Sequence, residues 1–214
     1  VFAGIRNLES NGAKELWEIK NKENLPLEIL PLDVTSQLSV EEAVQTAVSK
    51  AGHIDVLVNN AGFGFTGPVE EFSIDEVKQQ YETNVFGVLR MVKAVVPIMR
   101  TQGRGLIVNL SSIAGLVSTP LLGVYSSSKF AIESISEALR FEVSAFGIRV
   151  ALVEPGSFAT NFKKNLKSVD SQKSESGVYS RLANNSSKVV PRSISQVNNS
   201  QKVADLIYKI SQER

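Results

Sequence analysis

Cysteine is absent from the 214-residue chain, and histidine occurs once, at His53. The first absence excludes a disulfide framework, and the two together exclude a zinc site built from Cys and His. No metal is expected. No apolar run reaches the ~18 residues that a membrane-crossing helix needs. Neither sign of charge is in excess: 23 Lys and Arg stand against 22 Asp and Glu. No one-signed field is on offer to nucleic acid or to an anionic lipid surface. The opening Val1-Phe2-Ala3-Gly4 lacks the basic-then-apolar pattern of a secretory leader. A cytoplasmic protein with no nucleic-acid or membrane partner is expected. With 43% hydrophobic residues at this length, the chain can build one sizeable core, so residues 1–214 are read as a single domain.

Short apolar runs alternate with longer stretches of helical period. Val1-Phe2-Ala3 reads as the tail of a strand, and Leu8 to Lys22 as a helix. Glu28-Ile29-Leu30-Pro31-Leu32 is a strand, and Ser39 to Ala51 a helix with Val40, Ala43, Val44 and Ala47 on one face. Asp55-Val56-Leu57-Val58 is a strand. Ser73 to Arg100 reads as one long helix opened by a capping box, Ser73 with Glu76. Leu106 to Leu110 is a strand, Val124 to Phe146 a helix, and Ile148 to Val153 a strand. Strands separated by helices predict a parallel sheet, and apolar runs without alternation predict burial on both faces. Composition changes after Thr160. Ser168 to Ser200 is rich in Ser, Asn, Lys and Gln and has weak periodicity, so 161–200 is expected to be a flexible substrate flap or disordered. Lys202 to Gln212 is helical again.

Ligands of open parallel sheets bind beyond the carboxyl ends of the strands. Asn59-Asn60-Ala61-Gly62, Ser111-Ser112 and Pro155-Gly156 each follow a strand, so they are expected side by side. The sharpest pair is Tyr125 and Lys129, four apart on a helix and on one face. An unperturbed phenol, with a pKa of about 10, is a poor base at neutral pH. An adjacent ammonium favours phenolate, and reaching a pKa near ~7 takes about 4 kcal/mol of differential stabilisation. On spacing alone, a surface Tyr beside a solvated Lys is the commoner arrangement. The context decides otherwise, because Ser112 stands thirteen residues before Tyr125 at a strand end.

Asn59-Asn60-Ala61-Gly62, Asn84-Val85-Phe86-Gly87, Ser112, Tyr125-Ser126-Ser127-Ser128-Lys129 and Pro155-Gly156-Ser157-Phe158-Ala159-Thr160 together resemble the short-chain dehydrogenase/reductase family. The resemblance implies a Rossmann-type doubly wound sheet. It implies that Tyr125 is the general acid/base, that Ser112 steadies the substrate oxygen, and that Lys129 lowers the Tyr125 pKa and holds the nicotinamide ribose. Asn84 would kink its helix and hold a water leading from Lys129 to solvent. Asn60, Ala61 and Gly62 would line the adenosine-ribose side, and Asp33 and Val34 the adenine. Pro155, Gly156 and Thr160 would position the nicotinamide carboxamide. Phe158 stands where smaller aliphatic residues are commoner in the family. Arg6 follows the first strand, with no acidic residue there to bind ribose hydroxyls. It suits a 2′-phosphate and so NADP over NAD.

The family's opening strand and Thr-Gly-x-x-x-Gly-x-Gly turn have no counterpart here. Gly62-Phe63-Gly64 follows the wrong strand and leads into Pro68. The first strand, its helix and the last edge strand are therefore expected to be missing, as in an internal fragment. In the order 3-2-1-4-5-6 the first strand is central, and its loss leaves unpaired edges.

The Val124–Phe146 helix carries a second apolar stripe, Phe130, Phe141 and Ala145, nearly opposite Ile132, Ile135, Leu139 and Val143. By resemblance this face packs in a homodimer or homotetramer; cover from the same chain is the alternative. Ile113 to Gly123, Phe63 and Phe65 supply apolar walls, which Phe158 and Phe162 could complete. These walls suit an apolar ketone or secondary alcohol. The run from Asn60 to Pro68 is similar to the branch that includes 17β-hydroxysteroid dehydrogenases. The reading is an NADP(H)-dependent oxidoreductase. The alternatives are a non-catalytic NADP-binding or scaffold protein, an inactive fragment, or a sugar-nucleotide epimerase, for which too little chain follows Thr160.

Overall fold

A computed structural model describes residues 1–156, 166–169, 179 and 199–213. The elements run β1 (Phe2–Ile5), α1 (Asn11–Glu23), β2 (Glu28–Pro31), α2 (Gln37–Ala51), β3 (Val56–Asn59) and β4 (Phe65–Thr66). They continue with α3 (Ile74–Tyr81), a π-helical segment (Glu82–Phe86), α4 (Gly87–Gln102), β5 (Gly105–Leu110), α5 (Gly123–Ser144) and β6 (Ile148–Val153). The last are β7 (Lys167–Ser168) and α6 (Gln201–Gln212). Short 3-10 turns lie at Val69–Glu71 and Ile113–Gly115.

The strands pair in parallel, as the alternation with helices predicted. β1 pairs with β2, while β3, β5 and β6 form a second sheet in that order. No strand among the described residues joins β1 to β3, which is the expected gap where a central strand would stand. β5 is the best-buried strand, with every residue from Leu106 to Leu110 out of solvent. Ile107 joins Val40, Val88, Val95, Met99, Ile132 and Leu139 on one face. Leu106, Val108 and Leu110 meet Val203, Ile207 and Ile210 of α6 on the other. Cover on both faces explains the unbroken apolar run. β1 departs from that expectation. Its residues are only half-buried and Gly4 is exposed, because it has a neighbour on one side only.

The long helix expected over 73–100 is broken into three. Ser73 accepts from the Glu76 amide while the Glu76 side chain accepts from the Ser73 amide, so the capping box is formed. The break is the π-helical turn carrying Asn84, at the position where the family resemblance implied a kink. The two-residue strands β4 and β7 were not expected, since such short pieces carry no period. β7 and the fully buried Val169 fall inside the range read as a flap, and Val169 packs on Gly67, where a Cβ would lie 2.6 Å from its Cγ2. Of the flap only 166–169, 179 and 199–200 are described; the rest of it, with Phe158, Thr160 and Phe162, lies outside the described residues.

Candidate active site

Three strand ends and two helices converge on one place. β5 ends at Leu110, and Ser112 follows as the cap of a 3-10 turn, its Oγ accepting from the Ala114 amide at 3.1 Å. The same hydroxyl lies 3.5 Å from the Pro155 carbonyl, so the segments after β5 and β6 are tied together. α5 delivers Tyr125 and Lys129 from its first two turns, both 7% exposed. The Ser112 hydroxyl is close enough to the Tyr125 phenol to pull its pKa down. Lys129 Nζ lies 5.9 Å from the centre of the Tyr125 ring and donates to the Leu110 carbonyl at 2.7 Å.

The electrostatics differ from the expectation in one respect. Burial pushes the Tyr125 phenol up from its ordinary value, and the Ser112 hydroxyl opposes that only in part. A phenol brought near neutrality is therefore not found within the chain itself. The cause is burial; the ammonium lies 5.9 Å from the ring centre and donates to the Leu110 carbonyl. Lys129 is itself lowered to about 8 by burial, against the pull of Glu133.

Asn84 is 1% exposed and closes the opposite wall. Its Nδ2 donates to the Phe63 carbonyl at 3.0 Å and to Ser128 Oγ at 3.1 Å, and its Oδ1 accepts from the Phe63 amide at 3.1 Å. Ser128 in turn donates to the Tyr125 carbonyl at 2.7 Å. Gln80, one turn before Asn84, was missed in the sequence although the spacing places both on one face. It is fully buried, donates to the Phe63 carbonyl at 2.7 Å and accepts from the Phe65 amide at 2.8 Å. Together Gln80 and Asn84 clamp the loop after β3. A further buried ladder, also unforeseen, runs from Asn59 to Asn109 to Ser136, each bond 2.8 Å, and joins β3, β5 and α5.

The residues present fit the two ends of a dinucleotide. Asn60, Ala61 and Gly62 lie exposed. A Cβ on Gly62 would fall 3.3 Å from Asn84 Oδ1 and 3.9 Å from Lys129 Nζ, so glycine keeps a cradle open beside the lysine. At the other end, Asp33 Oδ1 accepts from the Thr35 amide at 2.9 Å and hydroxyl at 2.7 Å. Burial raises the Asp33 carboxyl, but those bonds, with Arg6 and Arg90 nearby, hold it below its ordinary value. Arg6 is exposed at the end of β1. Val34 is held in place from α4: Arg90 donates to its carbonyl at 3.2 Å and pairs with Glu82 of the π segment. Gly156 is exposed and Pro155 half-buried beside Ser112. Among the described residues no cluster of three His, Asp or Glu could hold a metal, and no helix is long and apolar enough to cross a membrane.

A family model for short chain dehydrogenase matches residues 1–171. The chain belongs to the short-chain dehydrogenase family. It is 49% identical over 147 residues to a 3-ketodihydrosphingosine reductase of Bacteroides thetaiotaomicron, covering 68% of this chain and 55% of that protein. It is 40% identical over 168 residues to human retinol dehydrogenase 8, covering 78% of this chain and 52% of that protein. The chain thus spans about half the length of these relatives. A crystal structure of a short-chain dehydrogenase from Streptomyces avermitilis superposes with a TM-score of 0.85 at 32% identity, over 100% of this chain and 75% of that one. Family membership carries the Rossmann-type fold; the activity and the roles of individual residues are argued next.

Proposed function

We propose that the chain is the catalytic part of an NADP(H)-dependent oxidoreductase that interconverts an apolar ketone and its secondary alcohol. The observation that carries this reading is the Ser112–Tyr125–Lys129 cluster, in which the hydroxyl acts on the buried phenol and the buried ammonium lies 5.9 Å from the ring centre. Tyr125 gives its proton to the developing alkoxide or takes it back. Ser112 donates to the same oxygen and steadies its charge. Lys129 holds the ribose hydroxyls beside Gly62, and Asn84 fixes the loop that carries that glycine. The nicotinamide supplies or accepts the hydride when bound. A phenol held in its protonated form by burial suits the proton-donating half of the cycle, and so carbonyl reduction.

Asp33 and Val34 would take the adenine, Asn60 and Ala61 the adenosine ribose, and Pro155, Gly156 and Thr160 the carboxamide. The apolar substrate class is supported by Phe63 and Phe65, whose rings meet edge to face at 5.4 Å, and by half-buried Ile113. It is also supported by the names of two relatives, one a ketodihydrosphingosine reductase and the other a retinol dehydrogenase. A steroid substrate, as in the 17β-hydroxysteroid dehydrogenase branch, belongs to the same apolar class. The test is NADPH oxidation measured against a panel of apolar ketones. Failure of every member to turn over would overturn the reading.

Cofactor choice rests on Arg6. Its guanidinium lies near enough to Asp33 to help lower that carboxyl, is exposed, and suits a 2′-phosphate. A charged hydrogen bond of this kind contributes about 1.5–3 kcal/mol. Arg6→Ala should therefore raise the KM for NADPH by roughly ten- to a hundredfold and leave that for NADH within about twofold. Equal loss with both cofactors would remove Arg6 from the phosphate.

A homodimer or homotetramer is supported by α5, on which Phe130 is 44% and Phe141 67% exposed. Two aromatic rings open to water on one helix face are an expected contact surface. Phe141→Asp should give monomers in light scattering, and an unchanged mass would defeat the assignment.

A further inference from the structure

Resting on the roles of Tyr125 and Lys129 proposed above, we infer that Glu133 is a positioning residue whose carboxylate, one turn along α5, keeps the buried Lys129 ammonium charged and in place. Glu133 Oε1 is sealed from solvent and has no hydrogen-bond partner. The same is true of Ser111 Oγ at the end of β5. Both oxygens close on one 3-10 turn: a Cβ on Gly115 would fall 2.6 Å from Ser111 Oγ and 3.1 Å from Glu133 Oε1. A side chain at Gly115 would crowd both oxygens. An orphaned carboxylate oxygen in a dry place is tolerated where a cation compensates it. The cation on that helix face is Lys129, four residues earlier.

Among the described residues, the remaining surroundings of Lys129 offer no other anion. α5 presents Tyr125, a neutral phenol. The end of β5 presents the Leu110 carbonyl. The loop after β3 presents Gly62 and the π segment Asn84, both uncharged. Glu154, after β6, has its carboxyl pushed up by partial burial and then by the neighbouring charge of Glu133, and does not shift Lys129. Glu133 alone among these raises the proton affinity of Lys129. A neutral lysine would neither favour phenolate nor hold the ribose hydroxyls as an ammonium does, so Glu133 sets the upper pH at which the site works.

The test measures kcat and, separately, NADPH affinity by fluorescence titration, from about pH 6 to about pH 10. In Glu133→Gln the alkaline limb of both profiles should move down by about one pH unit. NADPH affinity should fall roughly fivefold near pH 8 and change little near pH 6. Glu133→Asp keeps the charge but withdraws it by a methylene, so its limb should lie between the two; it also carries the test if Glu133→Gln does not fold. A limb left at the wild-type position in both variants would overturn the inference. So would an equal shift in Glu154→Gln, which changes charge nearby without touching Glu133. Should Tyr125→Phe retain turnover, the catalytic reading falls, while the affinity profile still judges Glu133 by itself.

Discussion

Tyr125→Phe should lower kcat by roughly 10²–10⁴-fold, the usual contribution of a positioned acid/base, and leave NADPH affinity within about twofold. The change removes one oxygen from a ring that is 7% exposed. The ring itself packs as before, and the lost interaction with Ser112 costs about 1 kcal/mol of stability. The two readouts separate because, in the proposed function, the phenol meets the substrate oxygen, whereas Gly62, Lys129 and Asp33 carry the dinucleotide. The defect should persist at every pH, since phenylalanine has no proton to give. Ser112→Ala makes a useful contrast: it keeps the phenol but withdraws a donor from the same oxygen. Turnover within tenfold of wild type in Tyr125→Phe would take the role away from this residue. A drop in NADPH affinity as large as the drop in kcat would mean that the ring serves binding instead.

The path from sequence to this site is uneven, for physical reasons. β5 and β6 were legible because burial on both faces writes an unbroken apolar run, and the strand Ile148–Val153 matches in full. α2 was legible because Val40, Ala43, Val44 and Ala47 repeat at helical spacing, and all four are buried. The π segment at Glu82–Phe86 leaves no such trace. An inserted residue keeps the hydrophobic face nearly in phase, and only the Asn84 motif marked it. β4 and β7 are set by tertiary contact, namely Val169 against Gly67 and Lys167 over the Phe63 ring at 4.9 Å. Neither contact is local in sequence. Gln80 and Asn109 are polar residues in buried positions, and polar residues read as exposed until their partners are known. Ser112, Tyr125 and Lys129 were singled out by the family resemblance, since their spacing alone marks an ordinary helix surface, and the structure brings the three together. The upward shift of the phenol was not legible, because it depends on how much solvent the fold removes.

Removing the lysine should make the protein more stable and far less active. Lys129→Met keeps most of the side-chain volume and drops the charge. The folded-state value of about 8 lies below the ordinary 10.5, so the unfolded chain holds this proton more tightly than the folded one. Below about pH 8 both states carry it, and folding must bury a cation at a cost of about 3 kcal/mol, at ~1.36 kcal/mol for each pH unit. Between 8 and 10.5 the folded state gives up the proton and the penalty fades as pH rises. The Leu110 carbonyl loses a donor in the variant, which offsets about 1 kcal/mol. Urea unfolding at pH 7 should therefore show Lys129→Met more stable by about 2 kcal/mol, and the gap should close or reverse toward pH 10.5. In the same variant kcat/KM should fall by at least about 10²-fold, with NADPH bound more weakly. A fold keeps so costly a cation only where it has chemical work. A variant less stable than wild type at pH 7, or a stability gap that ignores pH, would show that Lys129 is an ordinary buried ammonium held for packing. The case for a charged groove beside Tyr125 would then fail with it.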